Sequence, residues 1–514
     1  MTARIPPVLR PEHPSARSLA ELVNEFGLEH SGSVDGVELT GVTLSTNDVR
    51  PGDLYVGIKG ANSHGAGYAS KAKDSGAVAV LTDAEGAALI EGIGLPVITV
   101  DSPRAALGEI SAWVYRTQDE PPLLFGTTGT NGKTSTSYLL AGILRQLGLV
   151  TGLSSTAERH IGDEVVVSRL TTPEASEMHA LLARMREAKV RAVAIEVSAQ
   201  ALERHRVDGI VFDVAAFTNL THDHLDDYSD MEEYFQYKLA LFDPDRARRG
   251  VVSLDSPYGQ RVVNDSRIPV TTISATTGIE GEWNVEVLDE QAEYTEFRLT
   301  GPQGRSLTSR VPLIGWHMAA NAGLAIVMLV EAGFELEAIG QALEESGGID
   351  AYLPGRTERV SGDRGPTVYV DFGHSPDAFE QTLAAVRAVT TGRVVMVFGA
   401  DGDRDASKRH EMGRVASEGS DILVITDHHP RFENPASIRA TLVEGAHLAE
   451  HEAELHEVSP PEKAIRAAVA LAAEGDSILW AGPGHQDYRD IEGVRTPYSA
   501  RDEARDALRE AGWS

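Results

Sequence analysis

The sequence predicts an α/β protein of three domains, and three observations predict it. Its 514 residues exceed what one hydrophobic core usually supports, and a prior of roughly 150 residues per domain gives about three. Short apolar runs of strand length alternate with helical periodicity along most of the chain, the pattern of helices packed on largely parallel sheets. Two breaks, "DEPP" at 119–122 and the turn-rich "YLPGRTERV" at 352–360, divide that alternation. The divisions are a small N-terminal α/β domain (1–118), a central α/β domain with a β-rich insertion (119–345) and a C-terminal Rossmann-like α/β domain (346–514).

Taken in order, the opening "MTARIPPVLRPEHP" lacks the apolar segment of a secretory signal. Residues 17–118 then alternate helical and strand signals. Leu123–Phe125 begins a strand that runs into Gly126, Gly129, Gly132 and Lys133-Thr134, followed by a helical pattern from Ser135 to Leu149. Strand, glycine loop and helix make a phosphate cradle: backbone N–H groups converge on the anion, the helix presents its positive end, the lysine spans two phosphates and the threonine reaches Mg²⁺. ATP or GTP is the natural ligand. The spacing departs from G-x-x-x-x-G-K-[ST], because Thr127 stands where glycine is called for and Gly126 comes one residue early.

"RAVAIEVS" (191–198) is an apolar strand ending on Glu196. Alternating runs near 284–312, around a Pro-Gln-Gly turn at 302–304, predict the β-rich insertion. "LIGWHMAANAGLAIVMLV" (313–330) approaches the length of a membrane span, but it carries His317 and Asn321 and reads as a buried helix. In the last third, "TVYVDF" (367–372), "RVVMVFGA" (393–400), "DILVITD" (421–427) and "DSILWAG" (476–482) are buried strands. Polar clusters follow them: Asp371–His374, Asp401–Arg404, Asp427–Arg431 and Gly482–Gln486. In parallel sheets ligands gather at the carboxyl ends of the strands, where these clusters lie.

Basic residues number 46 against 77 acidic, a net charge of -31, which argues against nucleic-acid and anionic-membrane partners while leaving room for a local basic pocket. The absence of cysteine excludes disulfides, thiolate nucleophiles and Cys-ligated zinc. A cytoplasmic, monomeric enzyme acting on small molecules, without membrane insertion, is the expectation.

"TTGTNGKTS" (127–135), "EVS" (196–198), "FTNLTHDHLD" (217–226), "YFQYKLALF" (234–242), "PGRTERV" (354–360), "VDFGHSPDA" (370–378) and "VFGADGDRDASKR" (397–409) follow one another in this order. Together they resemble the Mur ligases, the ATP-dependent amide-forming enzymes of peptidoglycan precursor synthesis, and most closely the MurE branch. That branch adds the third residue to UDP-N-acetylmuramoyl-L-alanyl-D-glutamate. The resemblance implies a P-loop ATPase-like central domain, ATP as co-substrate with Mg²⁺, and an acyl-phosphate intermediate. It implies catalytic roles for Lys133, Glu196, His224 and Lys238, with one Mg²⁺ at Thr134 and a second near Glu196 and His224, bridged by a carbamate on Lys238 (an N6-carboxylysine). ATP would meet Gly129, Thr130, Asn131, Gly132, Lys133, Thr134 and Ser135 of the loop, and Asn321, Arg356 and Asp371 at its base and ribose. The nucleotide-linked dipeptide would meet Ser45, Thr171, Thr172, Ser198, Arg204 and Arg206. Met318 stands where the family commonly has an asparagine, and His374 matches a family histidine.

A carbamate forms only from a neutral amine, so Lys238 must be buried or near other cations. Its neighbours in "EEYFQYKLALF" allow that; they equally allow a lysine snorkelling from an apolar helix face. His222 and His224, two residues apart, could form a metal pair or remain hydrogen-bonded polar histidines.

The third amino acid is read through two motifs. Diaminopimelate-adding relatives carry D-D-N-P-R, whose arginine holds the distal carboxylate; here "TDHHPR" keeps Arg431 but brings in His428 and His429. The family's G-K-G-H-E becomes Gly482-Pro483-Gly484-His485-Gln486, losing the charge that would face a side-chain ammonium. His429, Arg431, Gly482 and Gln486 are the expected amino-acid contacts. Arg431 argues for meso-diaminopimelate, and His429 with Gln486 for a changed pocket suited to lysine, ornithine or another residue. Two alternatives stand beside this reading: another ligase of the superfamily, of the folylpolyglutamate synthase type, or a catalytically silent scaffold.

Overall fold

The computed structural model describes Pro6, residues 8–223 and residues 227–513. Among these residues three large sheets follow one another along the chain. The first has five strands in the order Glu29–Ser31, Val97–Thr99, Ala79–Thr82, Asp53–Gly57, Gly41–Thr43, all parallel except the first pair. It is not an isolated body, because its core cluster takes in Ala175, Ala180 and Ala183 from the helix Ala175–Glu187 of the next unit. Arg10 ties its inner end, donating to Asp53 in a pair with both partners buried.

The central sheet has eleven strands. Its middle is parallel, with Leu123–Thr128 between Ala192–Glu196 and Phe212–Phe217, in a register that sets Glu196 beside Thr127 and Phe217 beside Thr128. These strands are near-continuous apolar runs because both faces are covered, as parallel sheets require. The helices Lys133–Gln146 and Trp316–Glu331 cover one face, and Ala175–Glu187 with Met231–Leu239 the other. Burial of Trp316–Glu331 in this layer explains the apolar stretch at 313–330. No helix among the described residues is long and apolar enough to cross a membrane.

The β-rich segment differs from a separate insertion. Trp283–Gln291 pairs in parallel with Val270–Ser274, so the antiparallel strands Trp283–Gln291, Tyr294–Thr300 and Ser306–Val311 prolong the central sheet. At the opposite edge a hairpin, Glu158–Ile161 with Glu164–Val167, extends it further; its four-residue strands around Gly162-Asp163 are too short for a periodicity signal.

Gly126 settles the irregular spacing of the phosphate loop. It lies inside the strand Leu123–Thr128, and a methyl group there would sit 2.9 to 3.0 Å from the Phe212 ring. Its smallness serves packing between strand and ring. Gly126→Ala is expected to destabilise the fold by about 1–3 kcal/mol, measured by urea unfolding.

The C-terminal sheet runs Glu358–Arg359, Thr367–Asp371, Ser477–Ala481, Val394–Phe398, Ile422–Ile425, Glu454–Glu457 and is parallel apart from its first pair. Apolar clusters fill both of its faces.

Candidate active site

One cavity of about 1390 Å³ gathers the carboxyl ends of both parallel sheets. From the central sheet come Thr130–Ser135, Thr156, Glu196, Ser198, Thr218–Asn219 and Asp255. From the C-terminal sheet come Asp371–His374, Asp401, His428–His429, Arg431 and Gly482. A pocket for one small ligand measures roughly 300–1,000 Å³, so the space suits more than one substrate.

The phosphate loop is shaped by glycines that nothing else could replace. Gly129 has φ of 145°, and a Cβ on it would strike the Thr218 hydroxyl; Gly132 has φ of 89° and faces the Asn321 side chain. The loop is stapled to the neighbouring strand end, with Thr130 N–H on the Asn219 carbonyl (2.9 Å), Asn131 N–H on the Asn219 side chain (2.9 Å) and the Thr218 hydroxyl on the Asn131 carbonyl (2.6 Å). Lys133 curls over it, donating to the carbonyls of Gly129 (3.0 Å) and Thr130 (2.8 Å). Lys238, on the helix Met231–Leu239, donates to the same Gly129 carbonyl at 2.7 Å and is 1% exposed. Two lysine Nζ atoms thus converge on one oxygen. Burial first, and then the charge of Lys133, push the Lys238 amine well below its ordinary pKa. Burial also lowers Lys133, against the pull of Glu196 and Asp223.

Glu196 ends its strand fully buried, and its two carboxylate oxygens accept from the N–H and the hydroxyl of Thr156, each at 2.9 Å. Thr172 holds that strand end, donating to the Glu196 carbonyl at 2.7 Å and accepting from Ser198 N–H at 3.2 Å. The Thr171 hydroxyl lies 3.1 Å from that of Thr156, whose own proton is given to Glu196, and the Ser198 hydroxyl caps the helix Ala199–Glu203. Arg206 is buried against Glu174 at 3.0 Å.

The C-terminal sheet closes over the loop through direct polar links. Arg356 donates to the Thr134 hydroxyl (2.8 Å) and stacks on Phe372, Asn131 donates to Asp377 (2.9 Å), and Lys408 donates to Asp223 (2.8 Å). Asp371 accepts from the N–H groups of Thr357 (2.7 Å) and Gly373 (2.6 Å), holding two loops in place. Asn321 accepts from the Thr136 hydroxyl, and its amide lies 3.9 Å from the Met318 sulfur, a weak acceptor. Burial drives His317 down to about 4 and His485 to about 3, so both rings are neutral at physiological pH. His374 rests on the Phe372 carbonyl at 2.8 Å.

At the far end lie Asp401, His428, His429, Arg431 and Gln486. Ligand atoms of Asp401, His428 and His429 fall within 4.8 Å of one another, yet both ring nitrogens of His429 are engaged. The N–H of Asp490 donates to Nδ1 (3.0 Å), which leaves the proton on Nε2 to be donated to the Gln486 carbonyl (2.8 Å). The triad is therefore short of a metal ligand.

Most of the residues singled out from sequence meet in or directly beneath this cavity. Gly129, Thr172 and Lys238 lie behind its lining. Ser45 and Arg204 stand apart: Ser45 accepts from Asn47 N–H on a loop joined to the cavity through the Asp48–Arg169 pair, and Arg204 is an exposed residue at the end of a short helix. His224 lies outside the described residues. His222 is half-exposed and faces Asp405 at 3.7 Å. Asp377, Lys408 and Asp223, which link the two sheets, escaped sequence reasoning because such a link has no local pattern.

A phosphate loop facing a second parallel sheet across a cavity with room for several substrates defines a nucleotide-dependent group-transfer enzyme. Residues 38–115, 127–329 and 355–484 match, in turn, the Mur ligase family catalytic domain, the Mur ligase middle domain and the Mur ligase glutamate ligase domain. A UDP-N-acetylmuramyl-tripeptide synthetase of Leifsonia xyli subsp. xyli is 63% identical over 513 residues, covering 100% of both chains. A UDP-N-acetylmuramoyl-L-alanyl-D-glutamate–2,6-diaminopimelate ligase of Streptomyces avermitilis is 42% identical over 99% of both. The solved structure of a ligase bearing that same description superposes with a TM-score of 0.65, at 25% identity, over 97% of this chain and 100% of the other. The chain belongs to the Mur ligase family.

Proposed function

We propose that this chain catalyses the ATP-dependent addition of a diamino acid, as third residue, to UDP-N-acetylmuramoyl-L-alanyl-D-glutamate in the cytoplasm. The observation that carries this reading is the convergence of the phosphate loop and Glu196 from one sheet with Arg356, Arg431 and Gln486 from the other on a single cavity, with Lys238 directly behind the loop. The names of the relatives agree with it.

An amide forms in water only if the carboxylate is first activated. The terminal glutamyl carboxylate takes the γ-phosphoryl group of ATP, ADP leaves, and the α-amine of the incoming amino acid attacks the acyl phosphate and releases phosphate. The difficulty is electrostatic, since one anion must approach another, and positioned cations relieve it. Lys133 supplies one of them beside the loop. Thr134, Glu196, His224 and a carbamate on Lys238 would hold Mg²⁺, which supplies further positive charge between carboxylate and phosphate. The donors present fit such an ion, being a hydroxyl, a buried carboxylate with lone pairs to spare, and an amine whose surroundings lower its pKa in the direction that carbamate formation needs. Gly129–Ser135, Asn321, Arg356 and Asp371 bind ATP. Ser45, Thr171, Thr172, Ser198, Arg204 and Arg206 hold the nucleotide-linked dipeptide, and His429, Arg431, Gly482 and Gln486 face the amino acid. Closure of the C-terminal sheet over the loop excludes water, which would otherwise hydrolyse the acyl phosphate.

Purified protein supplied with the nucleotide-dipeptide, ATP and a panel of amino acids is expected to form ADP only when an acceptable amino acid is present, together with a nucleotide-tripeptide seen by mass spectrometry. No ADP and no lengthened peptide with any amino acid would overturn the reading.

A further inference from the structure

The amino-acid end of the cavity holds a charge arrangement that assigns the substrate's distal group. Gln486 carries no charge, and its carbonyl is taken by the Nε2 proton of His429, so it offers the cavity only its NH₂ donors. Arg431 is also committed. It donates to the carbonyls of Gly402 (3.1 Å) and Asp403 (3.5 Å) and to Asp401 Oδ2 (3.3 Å), from a residue held at φ of 49°. A distal carboxylate would have to displace these partners.

What remains unsatisfied is negative. Asp401 Oδ1 and Asp490 Oδ1 are both buried without a hydrogen-bond partner, and both residues line the cavity beside His429. The Nε2 of His428 lies 3.6 Å from Asp401 Oδ1, beyond hydrogen-bond reach. Burial drives the His428 ring down to about 3, so it brings no charge to neutralise its neighbour. Against the upward push of burial, the positive charge of Arg431 beside Oδ2 keeps Asp401 below its ordinary range, so its carboxylate is ionised. A buried anionic oxygen without a donor is costly, and a ligand that brings N–H donors and positive charge removes that cost. With both His429 nitrogens engaged, an ammonium fits better than a metal ion.

We propose that Asp401, assisted by Asp490, receives the side-chain ammonium of the incoming amino acid and sets the preference for a diamino monocarboxylic acid, such as lysine or ornithine, over diaminopimelate. This rests on the ligase reading above and names its substrate class. The test is kcat and KM for L-lysine, L-ornithine, L-2,4-diaminobutyrate and meso-diaminopimelate, beside the methyl-ended isosteres of the first three, L-2-aminoheptanoate, L-norleucine and L-norvaline. The wild-type protein is expected to favour its best diamino acid by about 100-fold over the isostere, because a site built for a charged group rejects one without it. In Asp401→Asn that ratio is expected to fall by about tenfold or more, through the amino-acid KM, with KM for ATP and for the nucleotide-dipeptide changed less than about threefold. Diaminopimelate should be used no worse, since Arg431 is then released. Asp490→Asn should lower the same ratio by a smaller factor and supplies the test if Asp401→Asn does not fold. Equal use of the best diamino acid and its own methyl-ended isostere by the wild type, or an unchanged ratio in both variants, overturns the proposal. Absence of ligation by the wild type with every amino acid defeats the ligase reading instead.

Discussion

Lys238→Ala is expected to lose about 10³-fold or more in kcat, and to regain part of it when formate or acetate is added. The amine is buried, touches the Gly129 carbonyl and lies above the Tyr234 ring at 4.3 Å. A protonated ammonium in that place would have to be desolvated next to a second one, Lys133, and both effects favour the neutral amine that carbon dioxide can capture. A small acid diffusing into the gap left by alanine would place an anionic oxygen pair where the proposed carbamate would stand. A variant that ligates as fast as wild type removes the carbamate from the mechanism. So does a wild-type enzyme whose rate is indifferent to exhaustive removal of carbon dioxide and bicarbonate.

The same burial leaves a mark on stability. Lys238 has a folded pKa far below 10.5, so between those two values the unfolded chain holds the extra proton. Stability therefore rises with pH across that window, and the penalty is fully present below it. A methionine at 238 cannot titrate, so the variant's stability relative to wild type should be greater at neutral pH than near pH 10. Urea midpoints at two pH values give the comparison. Loss of catalysis together with a gain in stability would mark the residue as one kept for function.

How much of this was legible in the sequence depends on the range of the interaction. The strand, loop and helix around Lys133 were legible because their determinants are local: an apolar run, glycines where φ must be positive, and a helical pattern behind them. The clusters after residues 371, 398, 425 and 481 were legible for a similar reason, since each follows an apolar strand and parallel sheets place such ends together. Gly126 misled by its position, because its reason is the Phe212 ring 86 residues away in the chain. The engagement of Gln486 by His429 could not be read either: only the fold brings Asp490 N–H against the ring and so decides which nitrogen donates. Asp401 went unassigned for that reason. In sequence it is one acid among 77, and its unpartnered oxygen is a property of three loops meeting.

Lys133→Ala is expected to lower kcat by about 10³-fold or more while leaving KM for the nucleotide-dipeptide within about threefold. The ammonium lies on the loop carbonyls of Gly129 and Thr130, at the foot of a helix whose N–H groups already face the anion. Its charge matters most when the γ-phosphoryl group is in transit, so the loss should fall on the chemical step. The protein should not be weakened, because burial opposes the charged form of Lys133 and alanine removes that opposition. The sharper expectation concerns its neighbour. Lys133 is one of the two causes that depress Lys238, so alanine at 133 lets the Lys238 amine rise toward its ordinary value and hold its proton. Carbamate formation then becomes harder in a variant that still has the lysine. Two consequences can be measured: the activity remaining in Lys133→Ala should shift its pH optimum upward, and Lys133→Ala/Lys238→Ala should be much less impaired than the product of the single effects. Strict multiplication of the two losses would show that the lysines act independently and would break the proposed electrostatic link between the phosphate loop and Lys238.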